Sequence, residues 1–271
     1  MAHLLVITAH ADDLEFFCGG TVCRATRQRH VADLVIVTDS ARGSEDATTD
    51  RRELARLRET EARAAARIIG LREVVGLGCD DGFLRDTPIN QLRERLMREI
   101  RARRPDVILT FDPADATEGH PDHRRVAIAA SEAARFARLP HFHPEQCEAG
   151  LQPHLTREVY YFAKSPQAAD KVVDVTDYLD TQIAALLAHA SQMRFLVAQA
   201  LAEARALDAP VEVLAQLAPV AAGAVMAQAI RRRAAALGAR HGLAAAEVFR
   251  REQLFASALL RPGGWQPQDI V

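Results

Sequence analysis

Two short clusters carry the residue types that metal-assisted chemistry needs. His10-Ala11-Asp12-Asp13 directly follows the apolar run Leu4 to Thr8, and His120-Pro121-Asp122-His123 stands about 110 residues later, shortly after the apolar run Val107 to Thr110. Imidazole and carboxylate are common ligands of a catalytic zinc ion, which keeps three protein ligands and one open position. His10 and Asp13, three apart in a turn, can reach one ion, and His123 can complete a His/Asp/His set. Asp12 then stays free beside the ion as a base, and His120 faces the substrate. Asp122 would hold or tune a histidine from behind, as carboxylates commonly do. Such a set suits amide hydrolysis, because zinc lowers the pKa of its water to about 7 and polarises the carbonyl.

Each cluster alone has a plainer reading. Aspartate is a favoured helix N-cap, so Asp12 and Asp13 can be caps only. Pro121 fits the first turn of a helix, where its missing N–H costs nothing, and a histidine beside it can be a surface residue. Taken together, two such clusters at the ends of two predicted strands favour a shared metal centre.

The elements that must position them alternate. Strands are predicted at Leu4 to Thr8, Leu34 to Thr38, Glu73 to Leu77 and Val107 to Thr110, and helices at Phe17 to Arg29, Thr49 to Ile69 and Ile89 to Arg103. Gly70 and Pro105 end the second and third helices. This alternation predicts an α/β fold with a Rossmann-like, mainly parallel sheet flanked by helices. Ligands in such sheets bind beyond the carboxyl ends of the strands, so both clusters share a rim with 39–44 and 78–82. Another helix is expected over Arg124 to Arg138, and further strands near Arg157 to Ala163 and Val172 to Val175. From Thr176 the pattern is helical and becomes rich in alanine. Residues 1–190 therefore read as the α/β domain and 191–271 as a helical C-terminal extension packed on it, with Pro262-Gly263-Gly264 leaving a short tail.

Composition narrows the function. The 271 residues are 49% hydrophobic and 26% charged, with a formal net charge of −2. That balance argues against a nucleic-acid or anionic-membrane surface, which needs concentrated basic charge, and favours small-molecule chemistry. Cys18, Cys23, Cys79 and Cys147 show no CxxC pairing and suit a reducing cytoplasm. The first residues lack the pattern of a signal peptide, and no apolar run approaches the roughly 18 to 20 residues of a membrane span.

Several other features read blandly. Gly19-Gly20 lacks GxGxxG and is a close-packing site between helix and sheet. His141, His143 and His154 lack an acidic partner at ligand spacing, so a second metal site there is disfavoured. Ser44, Ser131 and Ser165 stand outside any nucleophile-elbow context.

The order of motifs carries a family resemblance. AHADDLEFFCGGT (Ala9 to Thr21), Arg42-Gly43-Ser44, Arg58-x-x-Glu61-Ala62, Asp81-Gly82 and Gly119-His120-Pro121-Asp122-His123 resemble the zinc-dependent PIG-L (LmbE-like) N-deacetylases over about residues 3 to 190. A weaker echo follows in His189-Ala190-Ser191-Gln192 and around Glu247. The resemblance implies zinc, or another divalent ion, on His10, Asp13 and His123, with Asp12 as general base. It implies that His120 steadies the oxyanion or protonates the amine, that Asp122 tunes His120, and that Arg58 and Asp81 contact substrate hydroxyls. For the last two, a solvated helix residue and a simple turn are the plainer readings.

Where the family usually has proline, this chain has Ala11, which should loosen the loop slightly without removing a ligand. Leu14-Glu15-Phe16 resembles the subgroup with the bacillithiol-pathway enzymes. The implied reaction is removal of acetyl from an N-acetylglucosaminyl conjugate, with N-acetylglucosaminyl-malate favoured. The competing readings are an amidase acting on thiol S-conjugates and a noncatalytic Rossmann-like binding protein. The implied partner is a small sugar conjugate, with no nucleic acid or membrane, and the alanine-rich extension is a candidate homo-oligomer interface.

Overall fold

The apolar runs pair as parallel strands, and the helical stretches between them cover both faces. A computed structural model describes residues 1–162, 169–208 and 222–254. Its first half alternates as β1 (His3–Thr8), α1 (Asp13–Phe17), α2 (Gly19–Arg27), β2 (Val31–Thr38), α3 (Arg51–Ile69), β3 (Glu73–Cys79), α4 (Ile89–Arg103), β4 (Val107–Phe111), α5 (Pro121–Phe136), α6 (Pro144–Glu148) and β5 (Glu158–Phe162). Then come β6 (Lys171–Asp174), α7 (Leu179–Leu187), α8 (Ala190–Ala206), α9 (Ala222–Ala239) and β7 (Ala246–Gln253).

The strands form one sheet in the order β3-β2-β1-β4-β5-β7-β6, parallel from β3 through β5. β1, β2 and β4 are buried almost throughout, as central parallel strands covered on both faces must be, whereas the edge strand β3 alternates. The chain leaves β1 toward β2 on one side and meets β4 on the other, with Leu4 opposite Val107 and Val6 opposite Leu109. Strand order therefore reverses between β1 and β4, the switch point beyond whose carboxyl ends open α/β sheets bind ligands.

Helix ends follow local chemistry. The Asp50 side chain accepts from the amides of Arg52 and Glu53 to start α3, and Gly70 ends it in the left-handed conformation at φ 87°. α5 begins at Pro121, with His120 as N-cap, three residues earlier than the sequence pattern implies.

Two expectations need correction. The single helix expected over Phe17 to Arg29 is two helices broken at Cys18, because α1 already starts at Asp13 and the chain turns at φ −150°. Gly19 and Gly20 there are close-packing residues, but their neighbours are Gln182 and Val175 rather than the sheet. The extension carries α8 and α9 as expected and then returns to the sheet as β7, antiparallel between β5 and β6. Apolar alternation is absent there, because buried Glu247 accepts from the amides of Gly20 and Thr21, and Arg250 pairs with Asp112. Long-range polar partners hold this strand where a hydrophobic period would normally announce one.

Met193, Ile230, Ala234 and Phe249 belong to the same buried core as β1 and β4. All four cysteines are free. Among the described residues, no helix is long and apolar enough to cross a membrane. The tail at Pro262 to Gly264 and the middle of the alanine-rich stretch lie outside the described residues.

Candidate metal centre

The loop leaving β1 delivers His10, Asp12 and Asp13 to the switch point, and the loop leaving β4 brings Glu118, His120, Asp122 and His123 to the same place. Nδ1 of His10 lies 3.2 Å from Nε2 of His123. The Asp13 carboxylate lies 3.3 Å from His123 Nε2 through Oδ1 and 3.5 Å from His10 Nδ1 through Oδ2. Bonds of about 2.0 to 2.2 Å to a tetrahedral zinc ion would put its donor atoms about 3.3 to 3.6 Å apart; the three pairs come near that spacing, with Asp13 meeting the two imidazoles through different oxygens.

The outward nitrogens of both rings meet carboxylates. His10 Nε2 lies 3.2 Å from Asp81 Oδ1 and 3.6 Å from Asp122 Oδ2, and His123 Nδ1 lies 3.1 Å from Glu118 Oε2. A proton held on each outward nitrogen leaves the inward nitrogen with its lone pair free, which is the tautomer a metal needs. His10, His120 and His123 together present nitrogens within 4.8 Å of one another. A second grouping, His10 with Asp81 and Asp122, falls within the same distance. In it both oxygens of Asp122 already accept backbone amides, from Gly82 and Leu84, whereas Asp13 takes its two amides on Oδ2 and turns Oδ1 to His123. Among the described residues these are the only such groupings; His143 instead meets Glu145, and His154 meets the Pro105 carbonyl.

Electrostatics favour a cation. Burial works against charge on His123, yet Asp13 and Glu118 push its pKa up to about 9. His10 is likewise raised despite burial, by Asp122, Asp13 and Asp81. Burial opposes the Asp13 anion, but the two imidazoles hold its carboxyl far below the usual range. The surrounding carboxylates thus draw positive charge into the site, and a divalent ion can supply it in place of protons.

Asp12 differs from its neighbour. It occupies the N-cap position of α1 but makes no capping hydrogen bond, whereas Asp13 Oδ2 accepts from the amides of Ala9 and His10. Burial and the adjacent Asp13 raise the Asp12 pKa, outweighing His189, His10 and Arg58. Ala11 does not leave the loop loose, because its amide donates to Ser40 Oγ at 3.1 Å, a bond proline lacks.

His120 is the least buried of the three histidines. Its Nδ1 accepts from the Asp122 amide at 3.2 Å, so the ring's own proton sits on Nε2. Burial and the charges of His10 and His123 lower its pKa. The fully buried Asp122 carboxylate faces His10 and two backbone amides, and it acts on His120 through its charge, which opposes the lowering, and through its own amide.

Arg58 and Asp81, expected at the rim, are both buried. The Arg58 guanidinium donates to the carbonyls of Ser40 and Gly43 at 2.8 Å, and a Cβ at Gly43 would come within 2.6 Å of it. Asp81 braces His10.

Some residues at the site carry no local sequence signal. Glu118 sits in an irregular loop beside Asp112 and Asp115, and nothing in its spacing singles it out. Phe111 stacks on the His123 ring at 4.1 Å, and Phe17 stacks with Phe162 at 5.3 Å, making one wall aromatic. His189 arrives from the start of α8, with Nε2 3.3 Å from Glu15 Oε2 in the core behind Asp12. The echo at His189 to Gln192 was the one clue to it.

Comparison with known proteins bears on this arrangement. The family model described as PIG-L: GlcNAc-PI de-N-acetylase matches residues 5–134. The chain is 33% identical to a diacetylchitobiose deacetylase of Thermococcus kodakarensis over 190 residues, 70% of this chain and 69% of that one. It is 26% identical to a probable N-acetyl-α-D-glucosaminyl L-malate deacetylase of Bacillus anthracis over 203 residues, 70% of this chain and 81% of that one. The solved N,N'-diacetylchitobiose deacetylase from Pyrococcus horikoshii, complexed with an inhibitor, superposes with a TM-score of 0.75 at 25% identity, covering 93% of this chain and 84% of that one.

Proposed function

The chain belongs to the PIG-L family and is an N-deacetylase acting on N-acetylglucosamine-type substrates; from that premise we propose that it works through a divalent ion, zinc first, held by His10, Asp13 and His123. One observation carries the reading: two imidazoles turn one nitrogen each toward Asp13 while carboxylates occupy their other nitrogens, with a further buried aspartate alongside. An ion bound there supplies Lewis acidity for the amide carbonyl and an acidified water.

The protein's own groups do the rest. Asp12, with its pKa raised, takes the proton from the attacking water as general base. His120 offers its Nε2 proton to the oxygen on which negative charge develops, and it or the protonated Asp12 then gives a proton to the departing amine. Glu118, Asp81 and Asp122 hold the two histidines in their tautomers. Phe17 and Phe111 exclude water from one side of His123.

The conjugate is the finer question. Leu14-Glu15-Phe16 supports N-acetylglucosaminyl-malate and a role in bacillithiol-type thiol biosynthesis, whereas the 33% identity to a diacetylchitobiose deacetylase against 26% to a malate deacetylase supports a disaccharide. The test is acetate release by zinc-loaded protein from N-acetylglucosaminyl-malate, an N-acetylglucosaminyl-inositol and N,N'-diacetylchitobiose, read by mass spectrometry as loss of one acetyl group. Failure on all three overturns the reading.

A further inference from the structure

Phe83 stands in the loop after β3 and is 46% exposed, although the loop that carries it is fastened on both sides. Its amide donates to the Asp80 carbonyl at 3.2 Å, closing a turn whose third residue, Gly82, sits at φ 78°, where glycine is favoured. The residues before and after it donate to the two oxygens of one carboxylate: Gly82 N to Asp122 Oδ2 at 2.6 Å and Leu84 N to Asp122 Oδ1 at 3.2 Å. Leu84 is fully buried beneath, so the anchored backbone turns the Phe83 ring toward solvent.

The surroundings of the ring are polar and fixed. The Arg42 guanidinium lies 4.2 Å over it and donates to Asp80 at 3.0 Å, while Arg51 donates to the same carboxylate at 2.5 Å. The Arg42 amide donates to Asp81, whose other oxygen braces His10. A single exposed apolar residue ordinarily needs no explanation. This one is tied through Asp81 and Asp122 to the residues that brace the metal centre.

We propose that Phe83, with Arg42 and Asp80 beside it, is the platform for a second pyranose ring of the substrate, so that the protein prefers N-acetylglucosaminyl disaccharides to conjugates of small acids. The inference rests on the reading of the metal centre as the deacetylating site. A pyranose presents an apolar C–H face and a rim of hydroxyls, which match an aromatic ring flanked by a carboxylate and a guanidinium. A small dicarboxylate offers no such face. The two guanidinium groups it would need are already spent on Asp80, and Asp39 and Asp81 add further negative charge.

The test pairs binding with turnover. Saturation-transfer NMR of metal-free protein with N,N'-diacetylchitobiose should show both sugar rings in contact, and Phe83→Ala should lose the signal of one. In zinc-loaded protein, Phe83→Ala should raise the KM for the disaccharide about tenfold with kcat nearly unchanged. Phe83→Trp should restore it, and KM for N-acetylglucosaminyl-malate should not move. Wild-type behaviour of Phe83→Ala toward the disaccharide overturns the platform, as does an equal loss for both substrates, which would mark loop damage. Hydrolysis independent of Phe83 removes the platform and leaves the deacetylase reading intact. Phe83-dependent binding without hydrolysis of any conjugate does the reverse.

Discussion

Glu118 Oε2 lies 3.1 Å from Nδ1 of His123, on the side of the ring away from Asp13. A carboxylate in that place orients the ring and strengthens it as a donor. Glu118→Ala should therefore weaken zinc binding about 10- to 100-fold while the protein stays folded. Competition with a chelating dye measures this, and an unchanged dissociation constant would separate Glu118 from the metal centre.

The neighbouring aspartates should behave oppositely. Asp13→Ala should abolish stoichiometric zinc, whereas Asp12→Ala should retain it and lose about 10²- to 10⁴-fold in kcat, the usual contribution of a general base. Metal analysis beside acetate release decides this, and full turnover in Asp12→Ala would remove its assignment as base.

Metal binding must displace protons. With the His123 pKa at about 9 and His10 also raised, metal-free protein at neutral pH holds protons where the ion must sit. Calorimetry in buffers of different ionisation enthalpy should show release of about one to two protons at pH 7, with zinc affinity climbing as pH rises toward 9. Stability follows the same linkage. The folded pKa of His123 exceeds its unfolded value of about 6.5, so its pairing stabilises metal-free protein fully below that pH and is lost as pH rises through about 9. The melting temperature of metal-free protein should fall across that window more than that of the zinc-loaded form. A parallel course in both would count against protons occupying the site.

Gly20 tests the packing around α2, the helix that follows the His10–Asp13 loop and α1. Alanine normally gains up to about 1 kcal/mol over glycine in a helix. Here its Cβ would approach Val175 Cβ to 2.7 Å and Gln182 Oε1 to 3.0 Å, so Gly20→Ala should cost about 1 to 3 kcal/mol. Urea denaturation gives the sign directly, and a stabilised variant would show that Val175 and Gln182 can move aside.

Much of the architecture was legible in local pattern. Leu4 to Thr8 and Val107 to Thr110 are apolar throughout because their strands are covered on both faces, and Gly70 ends α3 where the periodic stretch stops. β7 was not legible. Glu247, Arg250 and Glu252 find their partners on α2, on the loop after β4 and on β5, and no local period encodes such contacts.

The sequence by itself determined the chemical inventory. Paired histidines and aspartates behind two parallel strands specify that imidazole and carboxylate reach one rim, because the direction of each strand and the shortness of the following loop leave them nowhere else to go. Only the tertiary structure decided the division of labour among them. It turned Asp13 toward both imidazoles, left Asp12 without a capping bond, buried Arg58 against the Ser40 carbonyl and Asp81 against His10, and brought Glu118 behind His123. Those roles depend on distances of about 3 Å between residues up to 113 positions apart, and such distances are set by how the strands stack and where the loops are anchored.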